Sequence, residues 1–221
     1  MKVLAVGAHP DDIELGCGGA LRAHYQRGDQ IAMLVMTTGE QGPQAARSRV
    51  AEQEDAARQI VATLHWGGFQ DGAVPAGARA VAVLEAVVRE EGPDVIYTHL
   101  PTDSHQDHRA TALASLSACR RFSRVLMYES PTTLNFNPLV FVDVSEHLEG
   151  KLDLIRAHMS QVLKNGLVDV EAVEAQARFR GFQARVRQAE AFEAARFLWD
   201  VSVGSADESM AGRHDLRPAG V

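Results

Sequence analysis

Two short segments hold most of the residues in this chain that could do chemistry. The first is Ala8-His9-Pro10-Asp11-Asp12; the second runs from His99 to His108 and contains His99, Asp103, His105, Asp107 and His108. His9 and Asp12 lie three apart around a proline, so a turn can bring both side chains to one point. A mixed imidazole and carboxylate set with open positions suits Zn²⁺, Fe²⁺ or another divalent metal. His105 and His108 are spaced i, i+3 at the expected start of a helix and share a face. They offer the further ligand that His9 and Asp12 need. A zinc ion held by three protein groups keeps room for a water and lowers its pKa to about 7. A nearby carboxylate then serves as general base. Adjacent carboxylates repel, so Asp11 and Asp12 are expected to do different work, one on the metal and one on the water. Spacing alone leaves open which does which. Helix capping by the acidic pair competes with this reading for either segment taken singly. Two such clusters, each following a strand-like run, favour the metal centre.

The surrounding pattern shows what positions these residues. Lys2 to Gly7 is short, apolar and ends at glycine, which predicts a buried parallel strand. Further strands are expected at Gln30 to Met36, Leu64 to Trp66, Asp94 to Thr98, Arg124 to Tyr128 and Leu139 to Val142. Helices are expected at Glu14 to Arg27, Gln44 to Thr63, Ala78 to Glu91 and His105 to Phe122. The alternation predicts an α/β fold, a mostly parallel sheet with helices on both faces. Ligands bind beyond the C-terminal strand ends of such sheets, and both chemical segments fall there. From Ser145 onward the pattern reads as helical, with an interruption at Asn165-Gly166. Glu171 to Leu198, with Phe179, Phe182, Phe192 and Phe197, is expected to cover the sheet or to form a subunit contact. Residues 1–204 are expected to form one domain, and the polar stretch 205–221 a frayed tail. The run Gly16-Cys17-Gly18-Gly19 is not a dinucleotide fingerprint, because the third glycine would fall on Leu21. Close helix–sheet packing explains it better.

Composition narrows the function classes. The 221 residues carry 22 Lys+Arg against 29 Asp+Glu, a formal charge of −7, and only 6% aromatics. Nucleic acid is therefore an unfavoured partner. No segment has the roughly 20 apolar residues of a membrane span, and the start lacks a signal-peptide pattern, so the expected location is cytoplasmic. Cys17 and Cys119 lack metal or redox spacing and are expected to be small buried residues.

With these residues in place, the chain resembles the LmbE/PIG-L family of metal-dependent N-acetylglucosaminyl de-N-acetylases. Ala8 to Asp12 is similar to the family's first motif, and His105-Gln106-Asp107-His108 to its second, H-x-D-H. The likeness continues through Thr38-Gly39-Glu40, Gly68-Phe69-Gln70-Asp71-Gly72, Pro93-Asp94-Val95-Ile96, Phe141-Val142-Asp143, Arg156 to Gln161 and Ala189 to Phe192. It implies a Rossmann-like, LmbE-like three-layer sandwich. It implies that His9, Asp12 and His108 bind the metal, usually zinc, and that Asp11 is the general base. His105 would stabilise the oxyanion or protonate the leaving amine, and Asp107 would orient and charge His105. Arg49 and Glu52 resemble an R-x-x-E pair whose arginine helps hold the sugar, with Arg47 competing for that role. His158 matches a recurrent histidine that approaches the site or a subunit interface. Ile13 departs from the family pattern, where many members carry an acidic residue. The implied reaction removes an N-acetyl group from an N-acetylglucosamine-type conjugate, with a small amino-sugar as substrate and a homo-oligomer as assembly. Low-molecular-weight thiol synthesis is one setting for it. The alternatives are a metal-dependent amidase acting on another conjugate and a non-enzymatic Rossmann-like binding protein.

Overall fold

The computed structural model describes residues 1–41, 46–162 and 168–200, apart from the side chains of residues 46–48. Asn165-Gly166, the Arg47 side chain and the tail at 205–221 lie outside the described residues. Five strands run parallel: β1 (Lys2–Gly7), β2 (Gln30–Thr37), β3 (Thr63–Phe69), β4 (Val95–His99) and β5 (Arg124–Tyr128). Two more, β6 (Val140–Asp143) and β7 (Ala189–Phe197), complete a seven-stranded sheet in the order β3-β2-β1-β4-β5-β7-β6. β7 is antiparallel to both of its neighbours. The helices are α1 (Asp12–Gln26), α2 (Ala46–Gln59), α3 (Ala78–Glu91), α4 (Gln106–Ala118), α5 (Leu148–Arg156), α6 (Met159–Val162) and α7 (Val170–Ala184).

Alternation along the strands divides the core between the two faces. Val3 and Ala5 of β1 pack with Ile13 and Leu21 of α1, Ala56 and Ala57 of α2, and Leu154 of α5. Leu4 and Val6 face the other way, against Leu84 and Val87 of α3 and Ala110 and Ala114 of α4. The expected mostly parallel sheet with helices on both faces is therefore present. No helix among the described residues is long and apolar enough to cross a membrane. Cys17 and Cys119 are both free and buried.

One expectation fails. Residues 189–197 (AEAFEAARF) form a strand, although their Ala and Glu content favours helix. Tertiary pairing overrides the propensity: β7 fills the gap between β5 and β6, and its residues 189–192 are buried in the sheet. The strand also completes α1. That helix breaks at Cys17, whose φ is −145° and ψ 18°. Glu190 of β7 accepts from the freed amides of Gly19 at 2.8 Å and Ala20 at 2.7 Å. Lys151 of α5 donates to Glu190 Oε1 at 2.6 Å and to the Leu15 carbonyl at 2.7 Å. The Gly19 and Ala20 amides and the Leu15 carbonyl, released by the break, thus each have a partner, as buried backbone groups require.

The break seats α1 close on the sheet. A Cβ on Gly16 would enter the Tyr128 ring of β5, whose hydroxyl donates to the Val6 carbonyl at 2.7 Å. Gly18, by contrast, looks out at Lys151 Cγ, which a Cβ would meet at an ordinary 3.4 Å. Gly16→Ala is expected to lower unfolding free energy by about 1–3 kcal/mol through overpacking. Gly18→Ala should be neutral or slightly stabilising, both read by denaturant unfolding.

Candidate active site

The C-terminal ends of β1 and β4 open into one cavity of about 380 Å³. Its lining includes His9, Asp11 and Asp12 from the β1–α1 turn, Asp71 after β3, and His105 and His108 from the start of α4. Arg49 of α2 reaches it as well.

The turn sends its two aspartates in different directions. Asp11 is the N-cap of α1 with φ 98° and ψ −27°. A non-glycine residue in such a region costs about 1–3 kcal/mol and persists only where its surroundings hold it. The side chain of Asp11 stays at the cavity, 3.6 Å from Arg49 Nη2. Asp12 turns inward. Its Oδ2 accepts from the His9 amide at 2.7 Å and the Ala8 amide at 3.1 Å, and lies 3.1 Å from His99 Nε2. Its Oδ1 faces His108 Nε2 at 3.3 Å, and His9 Nδ1 lies 3.3 Å from Oδ2.

Two of the three histidines facing Asp12 are backed by carboxylates. His9 Nε2 lies 3.1 Å from Asp71 Oδ1 and 3.1 Å from Asp107 Oδ2. His108 Nδ1 lies 3.2 Å from Asp103 Oδ2. A carboxylate on the far nitrogen is how proteins fix the tautomer and orientation of a metal-binding imidazole. Charge points the same way. Burial works against a charged His9 or His108, yet the carboxylates around them prevail and raise the pKa of His9 to about 12 and of His108 to about 9. Such a centre is short of positive charge. Ligand atoms of Asp12, His99 and His108, of His9, His105 and His108, and of His9, Asp71 and Asp107 form groups lying within 4.8 Å of one another. These donors fit a divalent metal.

The remaining groups differ in character. Burial, and then the Asp12 charge, raise the Asp11 pKa to about 6 against the pull of Arg49 and His158. His99 stacks on His108 with centroids 4.1 Å apart, and burial followed by His108 lowers its pKa to about 4. Burial also lowers that of His105, with His108 and His9 adding to the effect. His105 Nδ1 accepts from the Asp107 amide at 3.2 Å, so the neutral ring carries its proton on Nε2. Burial opposes the charge of Asp103, but hydrogen bonds from His108, the His105 amide and Ser130 hold it below the usual carboxylate range.

Three residues named from the sequence sit differently from their expected roles. The Asp107 carboxylate reaches His9 rather than His105, because the amides of Gly72 at 2.6 Å and Val74 at 3.0 Å draw it under the β3–α3 loop. Glu52 does not line the cavity. Both of its oxygens are taken by Ser160, by the amide at 2.9 Å and the hydroxyl at 2.7 Å, which ties α6 to α2. His158 is buried behind the turn, 3.3 Å from Glu14 Oε2. Arg49 lines the cavity, but its guanidinium also donates to the carbonyls of Pro10 at 2.7 Å and Gly39 at 3.3 Å. Asp71 and Asp103 gain roles that sequence reasoning had not assigned. Asp103 stood within the dense His/Asp segment, whereas Asp71 was marked only by its place in the family-like stretch after β3.

Asp103→Asn is expected to weaken metal binding about 10–100-fold, read by competition with a chelator. Unchanged affinity would separate Asp103 from the metal centre.

Comparison with known proteins agrees with this geometry. Residues 4–119 match the family described as PIG-L, GlcNAc-PI de-N-acetylase. The uncharacterized deacetylase YaiS of Escherichia coli K12 is 39% identical over 167 residues, covering 72% of this chain and 90% of that protein. The diacetylchitobiose deacetylase of Thermococcus kodakarensis is 28% identical over 186 residues, 72% of this chain and 70% of that one. In structure, a conserved protein of Thermus thermophilus superposes with a TM-score of 0.82 at 27% identity, covering 93% of this chain and 100% of the other. With a family match over more than half its length, the chain belongs to the PIG-L, LmbE-like family of N-deacetylases.

Proposed function

We propose that the chain hydrolyses the acetamide of a small N-acetylglucosamine conjugate, releasing acetate and a free amine, with Zn²⁺ held by His9, Asp12 and His108. The observation that carries this reading is the division of labour in the β1–α1 turn. Asp12 is locked among three imidazoles, while its neighbour Asp11 stays at the cavity with a raised pKa. A divalent cation supplies Lewis-acid polarisation of the carbonyl and lowers the pKa of a water at neutral pH; the same donors accept Fe²⁺.

The protein groups divide the remaining work. Asp11 takes a proton from the attacking water as the oxygen–carbon bond forms. As the carbon–nitrogen bond breaks, that proton is the one the departing amine needs. His105, neutral with its proton on Nε2, donates a hydrogen bond to the oxyanion. Asp107 and Asp71 hold the His9 ring, and Asp103 holds His108. Arg49 stands at the cavity wall, where it steadies the turn and can meet a sugar hydroxyl. Thr132, Gln41 and Gln161 add neutral polar groups suited to a polyol. The cavity's size suits a small-molecule ligand. Support for an N-acetyl sugar comes from the family description and from the relative that acts on diacetylchitobiose.

The test is release of free amine from GlcNAc–inositol, GlcNAc–malate and diacetylchitobiose by purified protein. Release should stop with chelator and return with added Zn²⁺. No release from any of them by metal-loaded protein would move the reading to another amide. Asp11→Asn should lower kcat by about 10²–10⁴ while metal content stays at the wild-type level. A variant that loses its metal together with its activity would overturn the division between the two aspartates.

A further inference from the structure

Gln53 of α2 is fully buried, yet no step of the reaction uses it. Its Oε1 accepts from the Asp11 amide at 3.3 Å, and its Nε2 donates to Glu14 Oε1 at 2.6 Å. Glu14 is itself fully buried, and its other oxygen lies 3.3 Å from His158 Nε2, in an ion pair whose alignment falls short of a hydrogen bond. Buried polar chains of this kind are costly unless their members satisfy one another.

The direction of the chain is determined. A backbone N–H can only donate. The Asp11 amide therefore takes the carbonyl end of Gln53, and the NH₂ end is left to donate to Glu14. One turn earlier on α2, Arg49 Nη2 donates to the Pro10 carbonyl at 2.7 Å. The Pro10 carbonyl and the Asp11 amide are the two polar ends of a single peptide unit. α2 therefore grips both ends of the Pro10–Asp11 peptide with residues four apart, which share a helix face. A flip of that peptide is the motion that would release Asp11 from φ 98°, and it would break both bonds.

We propose that Gln53 is a positioning residue for the general base: with its amide oriented by Glu14, it locks the Pro10–Asp11 peptide and so keeps the Asp11 carboxylate at the cavity. The inference rests on the reading of Asp11 as base.

Gln53→Met keeps the volume and removes both hydrogen bonds. It should lower kcat per bound metal by about 100-fold, as misplacement of a reacting group by about 1 Å does, with KM and metal affinity within twofold of wild type. Combining Gln53→Glu with Glu14→Gln reverses the donor and acceptor between the two side chains and still leaves an oxygen for the Asp11 amide. That pair should recover at least tenfold over Gln53→Met. In an Asp11→Asn background, Gln53→Met should have little further effect. Unchanged kcat in Gln53→Met, no recovery in the reversed pair, or a full additional loss in the Asp11→Asn background would each overturn the proposal. A crystal structure of Gln53→Met separates this from failure of the deacetylase reading. If the wild type releases no amine, relaxation of Asp11 to negative φ still supports the lock, and a retained positive φ overturns it.

Discussion

The Asp12 carboxylate is the group on which the site is assembled. It lies where β1 gives way to α1, and it is contacted by the amides of Ala8 and His9 and by the rings of His9, His99 and His108. Those rings come from the turn after β1, from the end of β4 and from the first turn of α4. One buried negative charge thus fixes the β1–α1 turn against the end of β4 and the start of α4, which lie far from it along the chain. Buried charge is tolerated only when paired and hydrogen-bonded, so the surrounding geometry has little freedom. Each facing histidine needs a definite tautomer, and for His9 and His108 the carboxylates of Asp107, Asp71 and Asp103 supply it from the far side.

Around this centre lies a second layer whose task is to hold backbone. The β2–α2 and β3–α3 loops are tied together through Asp71, which accepts from the Gln41 amide at 3.1 Å, while its own amide donates to Glu40 at 2.8 Å. α2 carries Arg49, Glu52 and Gln53, each of which meets a different part of the wall: the Pro10 carbonyl, Ser160 of α6 and the Asp11 amide. β7 adds Glu190, which repairs the break in α1 and lets Gly16 sit against Tyr128. The strained Asp11 is therefore held by structure on several sides, as a stored backbone strain requires.

Much of this was legible in the linear chain. The parallel strands showed as short apolar runs, and their ends marked the site, because the side-chain period of 2 and the position of ligands at strand ends are local and topological rules. The two His/Asp clusters were legible because chemistry needs particular residue types at close spacing. Residues 189–197 were not, because Ala and Glu describe helix propensity while the vacant place between β5 and β6 decides the conformation. Glu52 was misleading for a similar reason. Its likeness to the family's R-x-x-E suggested a substrate-facing pair with Arg49, but α6 packs there and takes both oxygens.

The sequence by itself determined the fold class and the strand ends at which the His9–Asp12 and His99–His108 clusters gather, since these follow from residue type and short-range periodicity. Tertiary structure alone decided the pairings: that Asp107 serves His9, that Asp103 serves His108, that His158 stands behind Glu14, and that Gln53 reaches the Asp11 amide. Each joins segments brought together by sheet order and helix packing. A hydrogen bond, with its reach of about 3 Å, depends on where those segments finally meet and not on how far apart they lie along the chain.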